Sequence, residues 1–132
     1  PDPSRRTRRP DDPRRRSTVV RDRDRWGDGM EVVIAGSPDE VAQLAAGIVA
    51  RIVSTTEQPV IGLATGSSPL GAYRSLIDQH RSTGLSFAGA SAVTLDEYVG
   101  LPYGHPESYR SVIRTEFIDH VDLPVERLHR PD

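Results

Sequence analysis

Cysteine and lysine are absent from the 132 residues, and methionine occurs once. Without cysteine, neither a disulfide nor a thiolate metal site can form. The four histidines are scattered and form no His-x-x-x-His pair, which argues against a zinc centre. No apolar run approaches the roughly 20 residues that span a bilayer. No apolar stretch follows the N-terminal arginines, so neither a secretory nor a twin-arginine signal is expected, and interleaved aspartates argue against a mitochondrial transit peptide. The expectation is a cytoplasmic chain with no metal, no membrane partner and no nucleic-acid partner. The length suits one ordinary domain rather than two.

The net charge of −2 hides an asymmetry. Residues 1–29 hold 10 Arg against 6 Asp, whereas residues 30–132 hold 7 Arg against 13 acidic side chains. The first segment has only Val19, Val20 and Trp26 as large apolar residues. So little apolar surface does not offset chain entropy, and residues 1–29 are expected to be a disordered Arg/Asp/Pro-rich extension. Arg8-Arg9 and Arg14-Arg15-Arg16 suit a nucleic-acid arm, but the aspartates among the arginines weaken any phosphate-binding field. Met30 stands where the ordered pattern begins and reads as the natural first residue.

From there the pattern alternates. Residues 31–35 are a β-branched run that reads as a strand. Ser37, Pro38 and Glu40 form a helix start with a capping box. Val41, Leu44, Ala45, Ile48, Val49 and Ile52 follow at helical spacing. Residues 60–64 are continuously apolar, as in a strand covered on both faces. A second helix runs from Pro69 to Gly84, and Phe87 in the next loop is expected to be pinned to the core. A third strand covers residues 91–95, and a third helix is expected from Pro106 to about His120. The order β-α-β-α-β-α implies an open parallel sheet with helices on its faces, of partial Rossmann-like type. So small a sheet reads as half of a larger domain.

Three segments could carry chemistry. Thr65-Gly66-Ser67-Ser68-Pro69 joins the second strand to the second helix. Gly66 allows close backbone approach, the hydroxyls can donate, and the helix start favours an anion. The plainer reading is a turn capped by Ser68. Asp96 sits at the C-terminal end of the third strand, where ligands of open α/β sheets bind. A carboxylate there can be a general base, or simply a loop acid. Glu97 is adjacent, so only one of the two can face a crevice in extended chain. His105-Pro106-Glu107-Ser108-Tyr109 offers a helix start and a phenol, or merely a cap from His105 or Ser108 and a core tyrosine.

Gly62 to Tyr73, Thr94 to Leu101 and His105 to Tyr109 together resemble the N-terminal half of the glucosamine-6-phosphate deaminase (glucosamine/galactosamine-6-phosphate isomerase) family, with similarity from about Met30 to Asp132. The resemblance implies that glucosamine 6-phosphate and water give fructose 6-phosphate and ammonia, with no cofactor. It implies that Thr65, Gly66, Ser67 and Ser68 hold the sugar phosphate, with Ser68 standing where the family more often has Thr. It implies that Asp96 moves a proton between C2 and C1 and that Tyr109 lies near the substrate. It allows a homo-oligomer for the full-length form.

The family also carries a G-x-D-G-H-I-A-F-N-like segment whose histidine opens the sugar ring, and basic residues that complete the phosphate site. Neither occurs in these 132 residues, so the chain is read as a fragment or a disrupted frame. A 6-phosphogluconolactonase is the nearest competing enzyme, but it has D-E-R where this sequence has Asp96-Glu97-Tyr98. The same residues would also suit a sugar-phosphate sensor or a non-catalytic sugar-phosphate-binding remnant.

Overall fold

The computed structural model describes the backbone of Thr18–Arg21 and residues 31–131. The chain divides into two compact units, Pro1–Glu40 and Val41–Asp132.

In the first unit, β1 (Thr18–Arg21) pairs antiparallel with β2 (Glu31–Ile34), with Val19 opposite Val33 and Val20 opposite Val32. This corrects two expectations. Four residues of the segment expected to be disordered form a strand, and the rest of residues 1–29 lies outside the described residues. The strand at residue 31 is also not part of the parallel sheet. Both strands are short β-branched runs, so a nearby antiparallel partner satisfies their backbone.

Helix α1 (Pro38–Thr55) begins as expected. Ser37 Oγ accepts from the Glu40 N–H at 3.2 Å, and the Glu40 carboxylate accepts from the Gly36 N–H at 2.7 Å. This is a reciprocal capping box.

In the second unit the parallel sheet runs β3 (Val60–Leu63), β4 (Ser91–Thr94), β5 (Leu128–His129). The α/β class and parallel pairing stand, but the third strand comes from the C-terminal region rather than from residue 31. Helix α2 (Leu70–Thr83) ends at Gly84, whose φ of 74° is the left-handed cap that glycine adopts without strain. Helix α3 (Tyr109–Glu116) starts three residues later than expected. Pro106 and Glu107 form a turn before the Ser108 cap, and a 3₁₀ turn, Ile118–His120, carries the chain onward.

The core centres on Phe87, Ile113 and Phe117, all fully buried. Phe117 stacks on Tyr73 at 5.2 Å and meets Phe87 edge-on at 5.4 Å. Such aromatic pairs contribute about 0.5–1.5 kcal/mol beyond area burial. Helix α1 turns a different face inward from the one its large residues predict. Ala46, Ala50 and Val53 are buried, while Val41, Leu44, Ile48 and Ile52 are exposed. Small side chains permit closer approach. A Cβ on Gly71 would lie 2.8 Å from the Ala42 Cβ, so α1 meets the start of α2 where neither residue can grow.

Asp122 locks the loop before β4. Its carboxylate accepts from the Ser86 hydroxyl and the Phe87 N–H, each at 2.6 Å, with His80 Nδ1 at 3.8 Å. Burial pushes the carboxyl up, but these bonds and His80 outweigh it and hold its pKa below the ordinary value.

Gly71→Ala tests the helix contact. Better helix propensity is worth about 0.5–1 kcal/mol, and overpacking costs about 1–3 kcal/mol, so urea denaturation should show a net loss. Unchanged or raised stability would show that α1 and α2 are not in close contact. Asp122 gives a pH prediction. Its folded pKa lies below the unfolded one, so its contribution is present above about pH 3.9 and is lost as pH falls through the folded value. The stability gap between wild type and Asp122→Ala should therefore narrow from pH 7 to pH 3; a constant gap would remove the assignment.

Candidate functional site

Parallel pairing decides where the loops emerge. Leu63 is in register with Thr94, and the Leu95 N–H donates to the Leu63 carbonyl at 3.3 Å. The segments after β3 and β4 therefore leave neighbouring strands at the same C-terminal edge, where open α/β sheets bind ligands.

Residues 65–69 follow β3. The Tyr73 hydroxyl, from the first turn of α2, donates to the Ala64 carbonyl at 2.7 Å and accepts the Ala64 N–H at 3.0 Å. Burial raises the Tyr73 phenol pKa, only partly opposed by the Ala64 bond, so the group stays a donor at neutral pH. Gly66 has a φ of 98°, a conformation that side chains resist. Thr65 is half-buried, and Gly66, Ser67 and Ser68 are exposed. The Ser68 cap does not form. Pro69 occupies the cap position with helical backbone and no side-chain bond. The Ser68 hydroxyl is thus not committed to capping, and among the described residues no side chain caps the start of α2.

After β4 the two adjacent acids separate. Asp96 is exposed. Glu97 turns inward, its side chain only 5% exposed. Glu97 Oε1 accepts from the Tyr98 and Tyr109 N–H groups at 2.9 Å each, and Oε2 from the Arg110 N–H at 3.1 Å. Ser108 Oγ accepts from the Ser111 N–H at 3.2 Å. Together they cover the first three N–H groups of α3, which a helix cannot satisfy internally. Burial would raise the Glu97 carboxyl, but the three N–H bonds and Arg130 at 3.9 Å prevail and hold it below the usual carboxylate range.

Tyr109 is half-buried rather than a core residue. Its ring lies 4.5 Å from that of Tyr98. The Tyr109 phenol pKa is pushed up by its hydrogen bond with Tyr98, then by burial, then by the charges of Tyr98, Asp96 and Glu97. Asp96 and Tyr109 therefore share one electrostatic neighbourhood. No hydrogen bond among the described residues ties them to Thr65, Gly66, Ser67 or Ser68. His105 only shapes the turn before α3, its Nδ1 accepting from the Glu107 N–H at 3.2 Å.

Sequence reasoning missed Glu97 as the cap of α3 and the cluster beside it. Tyr103 carries Arg110 and Arg130 at 4.9 Å and 5.3 Å from its ring centre. A cavity of about 180 Å³ is lined by Glu97, Tyr98, Leu101 and Arg130, among others. The signal for Glu97 was the adjacency of two acids, one of which had to turn away. Its partner, 12 residues on, carries no local signature. Among the described residues no group of three or more His, Asp or Glu is placed to hold a metal ion, and no helix is long and apolar enough to cross a membrane.

No family model matches the chain. It is 52% identical over 103 residues to a glucosamine-6-phosphate deaminase of Rhodococcus jostii (strain RHA1), covering 78% of this chain and 39% of that protein. A glucosamine-6-phosphate deaminase of Corynebacterium urealyticum is 55% identical over the same shares. The structure of a monomeric glucosamine-6-phosphate deaminase of the NagB superfamily matches with a TM-score of 0.69 and 38% identity, over 73% of this chain and 40% of that one. The resemblance carried by three motifs thus extends over most of the chain, which spans about two fifths of the length of these relatives.

Tyr73→Phe keeps the ring contacts and leaves both polar groups of Ala64 without their partner. We expect a loss of about 1–3 kcal/mol by denaturation, with faster amide exchange at Thr65 and Gly66. Unchanged exchange there would mean that Tyr73 does not hold the loop.

Proposed function

We propose that this chain, a relative of the glucosamine-6-phosphate deaminases through 103 of its residues, supplies the phosphate-holding and proton-transferring part of such an enzyme. The reaction converts glucosamine 6-phosphate and water to fructose 6-phosphate and ammonia. Residues 30–132 form this part, and residues 1–29 are an extension outside it. The observation that carries the reading is the register of Leu63 with Thr94, which sends the two candidate loops out at one sheet edge.

In this reading Thr65, Gly66, Ser67 and Ser68 hold the sugar phosphate. Exposed hydroxyls and the uncapped first turn of α2 support that role. Asp96 takes the proton from C2 and returns it to C1 through an enolamine, which leaves the amine on a carbon that water can attack. Asp96 suits this work because it is exposed while its neighbour Glu97 is consumed by α3. Tyr109 lines the sugar side. No cofactor enters, and the setting is the cytoplasm. The identity of the relatives does not favour a 6-phosphogluconolactonase.

Ring opening and full phosphate neutralisation need residues that these 132 do not contain. Groups that act as a unit fail together when one is missing. Pure chain should therefore release no ammonia from glucosamine 6-phosphate above blank, and measurable turnover would overturn the half-site reading. It should still bind the ligand weakly, shifting the amide resonances of residues 65–70. Ser68→Ala should weaken that binding about tenfold, the worth of one hydrogen bond to a charged group. Absence of shifts at residues 65–70 would remove the phosphate assignment.

A further inference from the structure

Glu97 is nearly fully buried, yet it is an acid on a loop at the rim of the sheet. A buried carboxylate is costly unless its oxygens are satisfied. Here both are, by three backbone N–H groups and an arginine at 3.9 Å. Those N–H groups come from two places. One belongs to Tyr98, two residues after Asp96. The others open α3 at Tyr109 and Arg110. Glu97 therefore fastens the segment that carries Asp96 to the helix start that carries Tyr109, 12 positions further along the chain. The intervening loop also turns at Gly100 and Gly104, where φ is 86° and 84°, and meets α3 through the Tyr98–Tyr109 ring contact and through Arg110 over Tyr103.

We propose that Glu97 is a positioning residue for the candidate site, setting the placement of Asp96 and Tyr109 relative to each other through its bonds to the Tyr98, Tyr109 and Arg110 N–H groups. This rests on the deaminase reading above. Glu97 itself touches no substrate. The lowered carboxyl pKa agrees with an anion held for its hydrogen bonds. A glutamine cannot fully replace it. Its carbonyl can keep the two bonds to Oε1, but its amide would set N–H against the Arg110 N–H.

The test compares two ligands on the 132-residue chain, inorganic phosphate and glucosamine 6-phosphate, by NMR titration. Phosphate reads the loop at residues 65–68, and the sugar adds the Asp96 and Tyr109 side. Wild type should prefer glucosamine 6-phosphate to phosphate by about tenfold, a 1.4 kcal/mol difference. Glu97→Ala should keep phosphate affinity and lose that preference, together with the Tyr98–Tyr109 ring contact seen as an NOE. Glu97→Gln should retain part of both. Arg130→Ala should leave the preference in place, because a long, partly exposed ion pair is worth little.

If Glu97→Ala keeps the full preference, the positioning role is wrong. If it loses phosphate affinity equally, Glu97 supports the fold as a whole, and the proposal fails. If Arg130→Ala removes the preference as completely as Glu97→Ala, the ion pair and not the N–H bonds sets the site, and the assignment falls. A wild type that binds phosphate without preferring the sugar phosphate overturns the deaminase reading itself, and Glu97 then has no site to position.

Discussion

Tyr73 joins two levels of the structure in one side chain. Its ring stacks on Phe117, inside the aromatic cluster with Phe87. Its hydroxyl takes both polar groups of Ala64, the last residue before the glycine–serine loop. The position of that loop is thereby referenced to the deepest part of the core. A phenol suits this better than a carboxylate or an amine, because burial keeps it neutral and leaves it one donor and one acceptor. The loop's exposed hydroxyls stand on a rigid base, which is how α/β folds usually present functional loops.

Much of this was legible in the sequence, for identifiable reasons. The start of α1 and the end of α2 carry local signals, a capping box at Ser37 and Glu40 and a glycine at residue 84, and both appear where those signals stand. The loops after β3 and β4 were legible because short apolar runs followed by Gly, Ser or Asp mark strand ends. What escaped was nonlocal. The strand Leu128–His129 is two residues long, and only its neighbour β4 makes it a strand. Hydrophobic size alone points to the wrong face of α1. Ala42 and Gly71 set the approach, and the larger Val41, Leu44, Ile48 and Ile52 are left exposed. Within the site, the separate fates of Asp96 and Glu97 were half readable, since adjacent side chains diverge, but no local rule pointed Glu97 to a helix 12 residues away.

Similarity covers 78% of this chain but 39% of a relative, which bears on how complete the site is. The proposed site would combine the exposed Asp96 carboxylate, the exposed Ser67 and Ser68 hydroxyls and the Tyr109 phenol, and its candidate phosphate loop has no basic side chain of its own. Arg110 and Arg130 are engaged elsewhere, against Tyr103, the Val125 carbonyl and Glu97. Recognition of a doubly charged phosphate by hydroxyls and one helix end is weak on general grounds, since charge-assisted bonds are the strong ones.

The dependence of α3 on Glu97 also has a kinetic side. Helix α3 is eight residues long. An isolated helix of that length is not stable in water, because nucleation costs more than so few bonds return. Its N-terminal donors are met by Glu97 only once the segment after β4 has arrived. Helix α3 is therefore expected to form together with the β3–β4 pairing rather than ahead of it, so a contact across 12 residues, and not helix propensity, would set when the C-terminal third of the chain becomes ordered during folding.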